Sequence, residues 1–358
     1  MELLRSPERP WFLNLAPGKT YMTASPLIVR LAACLVALTI FSGQIADARG
    51  HRSAQRHYQK QHRYKHSARS RARKAAPPQA AMCIPEGADL ADILAPSVAK
   101  APADVSIVVQ DLKDGTLTTF DPNKDMPAAS VDKLPVLIEV FHQIQLGKIS
   151  LDSKIKLKNC DRDHGWGLID NARTGKAFTV QQLLSLMIDN SDNTATNMLI
   201  RSVGLASINE EMKALGFAGT KLPTDIRTDN HDVIASLRTC ASDVAKMYSG
   251  MYAGTLIDSS SSEQMLEILA NQHENTLIPQ LLPAGLKIAH KTGTISDAVI
   301  DGGIVYTDSH RYVIVVMTAN ATNLHAAKNF IRTVSRQVYL YQQSLASRSG
   351  AAKSVTPS

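Results

Sequence analysis

A serine and a lysine spaced three residues apart could together perform nucleophilic chemistry. They are Ser130 and Lys133, at the start of the apolar run Leu134 to Phe141. If this run is helical, residues three apart share a face, so Lys133 lies one turn from Ser130. A lysine that its apolar neighbours partly desolvate loses its proton more easily and activates a nearby serine. The motif predicts a lysine-activated nucleophile.

The Ser-x-x-Lys pattern is weak by itself, because it recurs in this chain. Ser97 to Lys100 and Ser153 to Lys156 also match it, and ordinary composition gives roughly one or two matches by chance. A solvated lysine beside an incidental serine is therefore the default interpretation of any single match. Two further motifs downstream decide in favour of Ser130.

The second motif is Ser191-Asp-Asn193, which follows an apolar helical pattern. The Ser191 hydroxyl is suited to relay a proton to a leaving nitrogen. The Asn193 side chain is suited to hold a substrate amide, and to contact Lys133 as well. The motif predicts a proton-transfer and substrate-binding segment.

The third motif is Lys291-Thr-Gly293, at the start of a strand-like region. Lys291 can set the electrostatic field around the transferred proton and a substrate carboxylate. Gly293 leaves room for an acyl substrate to lie against the strand edge. We expect the backbone N–H groups of Ser130 and Thr294 to form an oxyanion hole.

The elements that must position these motifs predict an α/β sandwich. Strand-like runs at 105–110 and 116–120 flank a glycine-containing turn and predict a hairpin. Helical patterns fill the middle of the chain, at 130–146, 179–189, 193–203, 205–215, 241–252 and 262–270. Strand-like runs return at 288–289, 299–306 and 312–318, before a helix over 325–345. A mostly antiparallel sheet that collects both ends of the chain, with helices flanking it, fits this order.

The three motifs, in this order and at this spacing, resemble the signature of class A β-lactamases and penicillin-binding proteins. The resemblance covers about Val105 to Gln342. It implies an α/β domain beside an all-helical subdomain, with the site in the cleft between them, and no metal ion or cofactor. By this resemblance Ser130 is the nucleophile, Lys133 a base and Ser191 a proton relay. Lys291, together with Thr292 and Thr294, forms the edge that binds the substrate carboxylate.

The sequence departs from the class A pattern at three places. The glutamate that activates the deacylating water in that family has no counterpart, since no glutamate lies between Glu211 and Glu263. The family's spacing places it near Pro223, where Asp225 is the nearest carboxylate and the candidate deacylation residue, although its side chain is shorter than that of glutamate. Asp301-Gly-Gly303 stands where a substrate-binding arginine is expected. Asp132 is unusual between the two catalytic residues; it could pair with Lys133, but we expect its side chain to point elsewhere around the helix.

Three functions are consistent with this sequence. The preferred one is a monomeric serine β-lactamase that forms an acyl-enzyme at Ser130 and then hydrolyses it. The first alternative is a D,D-peptidase-like acyl transferase acting on peptidoglycan peptides, which needs no class A glutamate. A non-catalytic wall-binding module is the second, and the complete set of motif residues argues against it.

The first 48 residues predict a secretory signal region. Arg30 precedes the apolar run Leu31 to Phe41, which is short for a membrane span, and Ala46-Asp-Ala48 offers a cleavage site. Met22 is a more usual start for such a segment than Met1. An uncleaved membrane anchor is the alternative. Both place the remaining chain outside the cytoplasm, secreted or periplasmic.

Residues 49–80 predict a basic, disordered linker. Arg49 to Lys74 holds ten Lys/Arg, four His and no acidic residue, which accounts for the formal net charge of +7. Outside the cytoplasm, anionic wall polymers or lipid headgroups are the expected partners, rather than nucleic acid. A solvated spacer is the alternative.

The remaining chain divides into a catalytic domain over 81–346 and a disordered tail over 347–358. Three cysteines lie outside the signal region, at Cys83, Cys160 and Cys240. In an oxidising compartment they allow one disulfide and one free thiol, and the spacing does not select the pair. Their spacing does not resemble a metal site.

Overall fold

A five-stranded antiparallel sheet lies at the centre of the computed structural model, which describes residues 84–353 except Glu86, residues 229–235 and Ser309. The described strands are β1 (Asp104–Asp111), β2 (Leu117–Phe120), β3 (Met126–Pro127), β4 (Lys154–Lys156), β5 (Ala177–Thr179), β6 (Arg238–Thr239), β7 (Lys287–Thr294), β8 (Val299–Tyr306) and β9 (Arg311–Ala319). The main sheet has the order β2-β1-β9-β8-β7. Strands β3 with β6, and β4 with β5, form two small ladders. Strand β7 is therefore an edge strand.

Eight α-helices surround the sheet within the described residues. They are α1 (Leu90–Val98), α2 (Lys133–Gln145), α3 (Val180–Asp189), α4 (Asn193–Val203), α5 (Leu205–Ala214), α6 (Ala241–Ala253), α7 (Ser259–Ala270) and α8 (Leu324–Lys353). A short 3-10 helix, Ala129–Asp132, leads directly into α2. The predicted α/β sandwich, with antiparallel strands and a helical subdomain, is confirmed.

Both faces of the sheet are buried, because apolar side chains follow one another along its central strand. In β9, Tyr312, Ile314 and Val316 belong to one hydrophobic cluster, whereas Val313 and Val315 belong to another. Successive residues of a strand point to opposite faces, so the uninterrupted apolar run covers both. Helices α1 and α8 pack on the first face, and α6 packs on the second.

Side-chain caps fix where the helices of the subdomain begin. Asp192 accepts a hydrogen bond from the Ala195 N–H group at the start of α4. Thr179 and Gln182 form a reciprocal capping box at the start of α3. Such caps satisfy backbone donors that lack a partner in the first helical turn. The Ser191 segment therefore lies between the end of α3 and the capped start of α4.

Two predicted boundaries differ from the structure. Helix α8 spans Leu324–Lys353, whereas we predicted a helix over 325–345. Its last turns include Ala351, Ala352 and Lys353, which are good helix formers, so the helix extends past the predicted end. Strand β7 spans Lys287–Thr294 and contains the whole Lys-Thr-Gly motif, rather than residues 288–289 alone.

The predicted signal region and basic linker lie outside the described residues, as does Cys83. Cys160 is an exposed free thiol and Cys240 a buried one. Within the part of the chain that the structure describes, no helix is long and apolar enough to cross a membrane.

Candidate active site

Ser130 lies in the 3-10 helix that precedes α2, and Lys133 begins α2 itself. Lys133 Nζ is 3.0 Å from Ser130 Oγ, which is hydrogen-bonding distance. The residue before the nucleophile, Ala129, has a left-handed backbone with φ of 43°. A non-glycine residue in this region stores about 1–3 kcal/mol of strain, and such strain clusters at functional sites. The sequence spacing correctly predicted that Lys133 contacts Ser130.

Lys133 is held in the interior by a second contact, to Asn193 of α4. Its Nζ atom donates to Asn193 Oδ1 over 3.0 Å, and only 1% of Lys133 is exposed. Burial lowers the pKa of Lys133, and the carboxylates of Asp132, Asp192 and Asp163 only partly oppose this effect. A buried amine with a lowered pKa can accept the Ser130 proton.

Asp163 orients Asn193, and sequence reasoning missed it. The Asn193 Nδ2 group donates to Asp163 Oδ1 over 3.0 Å. The same carboxylate accepts from the backbone N–H groups of Gly165 and Thr228, and its pKa is lowered although burial works against this. Asp163 lies in an irregular segment before α3 and matches no motif, so only the fold reveals its contact.

Ser191 lies between α3 and α4, and its backbone is also left-handed, with φ of 55°. Its Oγ atom is 3.2 Å from Lys291 Nζ of strand β7. This contact joins the helical subdomain to the edge of the sheet. The fold thus brings all three motifs together, with Lys133 bound to Asn193 and Lys291 bound to Ser191.

Lys291 is completely buried, and its pKa is lowered to about 7. Burial is the main cause and the positive charge of Lys133 the second, whereas Asp132, Asp301 and Glu274 act in the opposite direction. A lysine with a pKa near neutrality exchanges its proton readily at physiological pH. Lys291 can therefore support proton transfer through Ser191 as well as carry charge.

The lowered pKa of Lys291 predicts a pH dependence of stability. The unfolded chain holds this proton up to its ordinary pKa of 10.5, whereas the folded protein releases it near 7. Between these values the folded state binds fewer protons, so the free energy of unfolding rises with pH, by at most about 1.4 kcal/mol per pH unit for this group. We expect Lys291→Met to flatten this rise, measured by denaturant unfolding at several pH values from 7 to 10. An unchanged slope would contradict the assignment.

The packing of strand β7 gives a further reason for glycine at position 293. A Cβ atom at this position would lie 2.8 Å from Ala129 Cβ and 2.9 Å from Ser130 N. Real Cβ atoms do not approach other atoms so closely. Glycine therefore lets strand β7 pack directly against the segment that carries the nucleophile. The sequence-based prediction for Gly293 did not include this packing.

The register of β7 on β8 directs the Thr294 amide toward the free edge of the sheet. Ile295 N donates to Ala298 O, and Thr294 is opposite Val299. Hydrogen-bonded and non-hydrogen-bonded pairs alternate in an antiparallel ladder, so the Thr294–Val299 pair is of the second kind. Thr294 is exposed, whereas Thr292 is buried and its carbonyl accepts from Lys291 Nζ over 3.1 Å. This orientation is compatible with the predicted oxyanion hole.

Asp132 pairs with Lys133, the possibility that the sequence left open, and does not point elsewhere around the helix as we expected. Its Oδ1 atom is 3.9 Å from Lys133 Nζ, and both side chains are buried. Burial raises the pKa of Asp132, while the charges of Lys133 and Lys291 lower it. Consecutive residues of a helix point in different directions, but the long, flexible Lys133 side chain brings its Nζ atom back to the Asp132 carboxylate.

The two remaining departures from the class A pattern have defined partners. Asp225, the candidate deacylation residue, accepts from Thr224 Oγ1 over 3.1 Å and forms an ion pair with Arg227.

Asp301 is completely buried and binds His290 Nδ1 and the Ile278 N–H group, each over 2.9 Å. Asp301 therefore makes hydrogen bonds in the protein interior, at the position where a substrate-binding arginine was expected.

Comparison with known sequences identifies one family. The sequence model of the Beta-lactamase enzyme family matches residues 88–342. The extended-spectrum beta-lactamase PER-1 of Pseudomonas aeruginosa is 25% identical over 258 residues, covering 67% of this chain and 83% of that protein. Beta-lactamase CARB-3 of the same organism is 24% identical over 196 residues, covering 53% of this chain and 67% of that protein.

Comparison with solved structures identifies the same fold. A beta-lactamase from Sphaerobacter thermophilus is 27% identical with a TM-score of 0.64, covering 70% of this chain and 94% of that one. PBP-A is 26% identical with a TM-score of 0.66, covering 71% of this chain and 96% of that one. A mutant of PBP-A was solved as an acyl-enzyme complex with penicillin G.

Proposed function

The chain belongs to the beta-lactamase enzyme family, and we propose that it is a serine hydrolase that opens the β-lactam ring through an acyl-enzyme at Ser130. The observation that carries the proposal is the 3.0 Å contact between Ser130 Oγ and the buried Lys133 Nζ. The nucleophile and its base are in hydrogen-bonding distance before any substrate binds.

Acylation begins when Lys133, as a neutral amine, takes the Ser130 hydroxyl proton. The Ser130 oxygen then attacks the lactam carbonyl carbon, and the N–H groups of Ser130 and Thr294 stabilise the oxyanion. As the carbonyl re-forms, the carbon–nitrogen bond of the ring breaks. The departing nitrogen takes the Ser191 proton, and Lys291, 3.2 Å from Ser191 Oγ, restores it.

In the proposal Asn193 orients the substrate amide as well as Lys133, and Lys291, Thr292 and Thr294 bind the substrate carboxylate. A charged lysine close to an oxyanion or carboxylate is most effective in a site with little water. Lys291 is completely buried and meets this condition.

A penicillin-binding D,D-peptidase-like acyl transferase is the second candidate. The arrangement at Asp225 favours it, because Thr224 and Arg227 already engage that carboxylate. Carboxylate oxygens that already have these partners are less available to hold and activate a water molecule. On this alternative the acyl-enzyme forms in the same way, but water does not remove the acyl group efficiently.

Replacing Asp225 with asparagine tests whether this residue supplies the deacylating base. If it does, the variant traps the acyl-enzyme, and steady-state hydrolysis falls by roughly 10²–10⁴-fold while acylation is unchanged. Stopped-flow acylation and steady-state turnover measure the two steps separately. Turnover equal to that of the wild type would remove Asp225 from the mechanism. Asp170→Asn, at an acidic residue bound by His164, is a control that should change neither step.

Intact-mass spectrometry of the protein mixed with a penicillin tests the proposed function as a whole. For a β-lactamase we expect an adduct of the drug's mass that appears and then clears, with hydrolysed penicillin accumulating. A persistent adduct would indicate the penicillin-binding transferase instead. No adduct would contradict both and favour a non-catalytic wall-binding module.

We also propose that the protein acts outside the cytoplasm, with the basic segment Arg49–Lys74 contacting an anionic wall polymer or membrane surface. The signal-like pattern over 1–48 and the ten positive charges support this. Cell fractionation tests the location. Recovery of the protein in the cytoplasm would contradict the proposal.

A further inference from the structure

Two glutamates and a histidine meet between helices α2 and α5, away from the motifs described above. Glu139 and His142 lie one helical turn apart on α2, and Glu211 lies on α5. His142 Nδ1 is 3.3 Å from Glu139 Oε2 and 3.0 Å from Glu211 Oε2. One ligand atom from each of the three residues lies within 4.8 Å of the other two. Two carboxylates thus converge on a single imidazole nitrogen.

This spacing suits a tetrahedral metal ion. Bonds of about 2.0–2.1 Å from Zn²⁺ to nitrogen or oxygen place neighbouring ligand atoms about 3.3 Å apart. The two distances from His142 Nδ1 lie close to that value. Imidazole with carboxylates is also a ligand set that zinc-type ions accept.

The charge balance of the cluster also favours a cation. The side chain of Glu139 is 4% exposed and that of Glu211 is 12% exposed, and in the described chain the ion pair of each goes to His142. One buried and one partly buried carboxylate, with one imidazole between them, leave negative charge that a divalent ion would neutralise.

A further buried side chain orients the cluster. Gln143 Nε2 donates to the other Glu139 oxygen, Oε1, over 2.7 Å, and also to the Val203 carbonyl over 2.8 Å. Gln143 is itself only 8% exposed. Metal ligands are characteristically held by such outer hydrogen bonds, which fix the direction of the coordinating oxygen. Glu139 Oε2 is left facing His142.

We propose that Glu139, His142 and Glu211 form a binding site for a divalent metal ion of the zinc type, which joins α2 to α5. The ion takes one oxygen from each glutamate and Nδ1 of neutral His142. In this neutral form His142 carries its proton on Nε2, so that the Nδ1 lone pair is free to bind the ion. The His142 side chain is 30% exposed, so a water molecule can reach the fourth position. The site does not depend on the proposed hydrolase activity.

Zinc binding by the full chain and its variants tests this site. Histidine and cysteine side chains elsewhere in the chain are also potential zinc ligands, so the informative quantity is the difference between proteins in equilibrium dialysis against Zn²⁺. We expect His142→Gln to bind one zinc fewer per chain than the wild type. Glu211→Gln should weaken that site by at least about tenfold. The matched control His164→Gln, at an exposed histidine that also contacts a carboxylate, should lose none.

Two further measurements keep the result decisive. Circular dichroism tests whether each variant is folded. If His142→Gln is not folded, the zinc content of the wild type is compared with that of Glu211→Gln instead. Anomalous scattering from zinc-soaked crystals of the wild type should place an ion within bonding distance of His142 Nδ1. Equal zinc content in wild type and folded variants, or no anomalous peak at this position, would overturn the proposal.

Discussion

Ser130→Ala abolishes covalent labelling by penicillin if the proposed mechanism is correct. The serine oxygen is the atom that forms the acyl bond, and neither Lys133 nor Ser191 can replace it, because they are arranged to move protons. Removing the nucleophile of a serine hydrolase typically costs on the order of 10⁶-fold in rate. Within a time course that labels the wild type completely, the variant should therefore show no adduct by intact-mass spectrometry.

The chain offers a matched control for this experiment. Ser97 also precedes a lysine by three residues, but it lies on α1 and donates to Gln337. Ser97→Ala should be labelled at the wild-type rate. Adduct formation that survives in Ser130→Ala would mean that another residue is the nucleophile, and peptide mapping of that adduct would identify it.

Lys133→Met is expected to slow acylation by roughly 10²–10⁴-fold, the usual contribution of a general base. Methionine fills a similar volume but cannot accept a proton or donate to Asn193. The wild-type rate should rise with pH as Lys133 loses its proton, since burial lowers the pKa of that amine. The variant should lose this rise, which stopped-flow measurements of acylation at several pH values will detect.

The same substitution also removes a positive charge beside Asp132, so catalysis and stability must be separated. Breaking a buried ion pair costs on the order of 3 kcal/mol of unfolding free energy. The double variant Asp132→Asn with Lys133→Met leaves no unpaired charge at this pair and should recover much of that stability. If it also recovers acylation, Lys133 acts through the fold and not as the base.

The contacts most accurately predicted from the sequence are local ones. Ser130 and Lys133 are three residues apart, so helical geometry alone places their side chains together, whether the turn is α or 3-10. Helix α4 begins at Asn193 and ends at Val203 as expected, because Asp192 caps it and Gly204 ends it. Such signals lie within one turn of the residues concerned.

The contacts that were missed are set by distant parts of the chain. Asp163 reaches Asn193 from thirty positions away along an irregular segment. Gly293 is needed because β7 approaches the Ser130 segment too closely for a Cβ atom. Neither contact follows from periodicity or propensity, because both arise from packing between elements that are distant in sequence.

The order of strands in the sheet also has a consequence for how the protein folds. Strand β9 is central, and its partner β1 lies some two hundred residues earlier in the chain, as the pairing of Val108 with Val315 shows. Contacts so distant in sequence make folding slow, because a long loop must close before they form. Until β9 has been synthesised, β1 and β2 cannot join β8 and β7. A chain truncated before Arg311 would therefore lack the middle of its sheet rather than an edge, and we expect it not to fold.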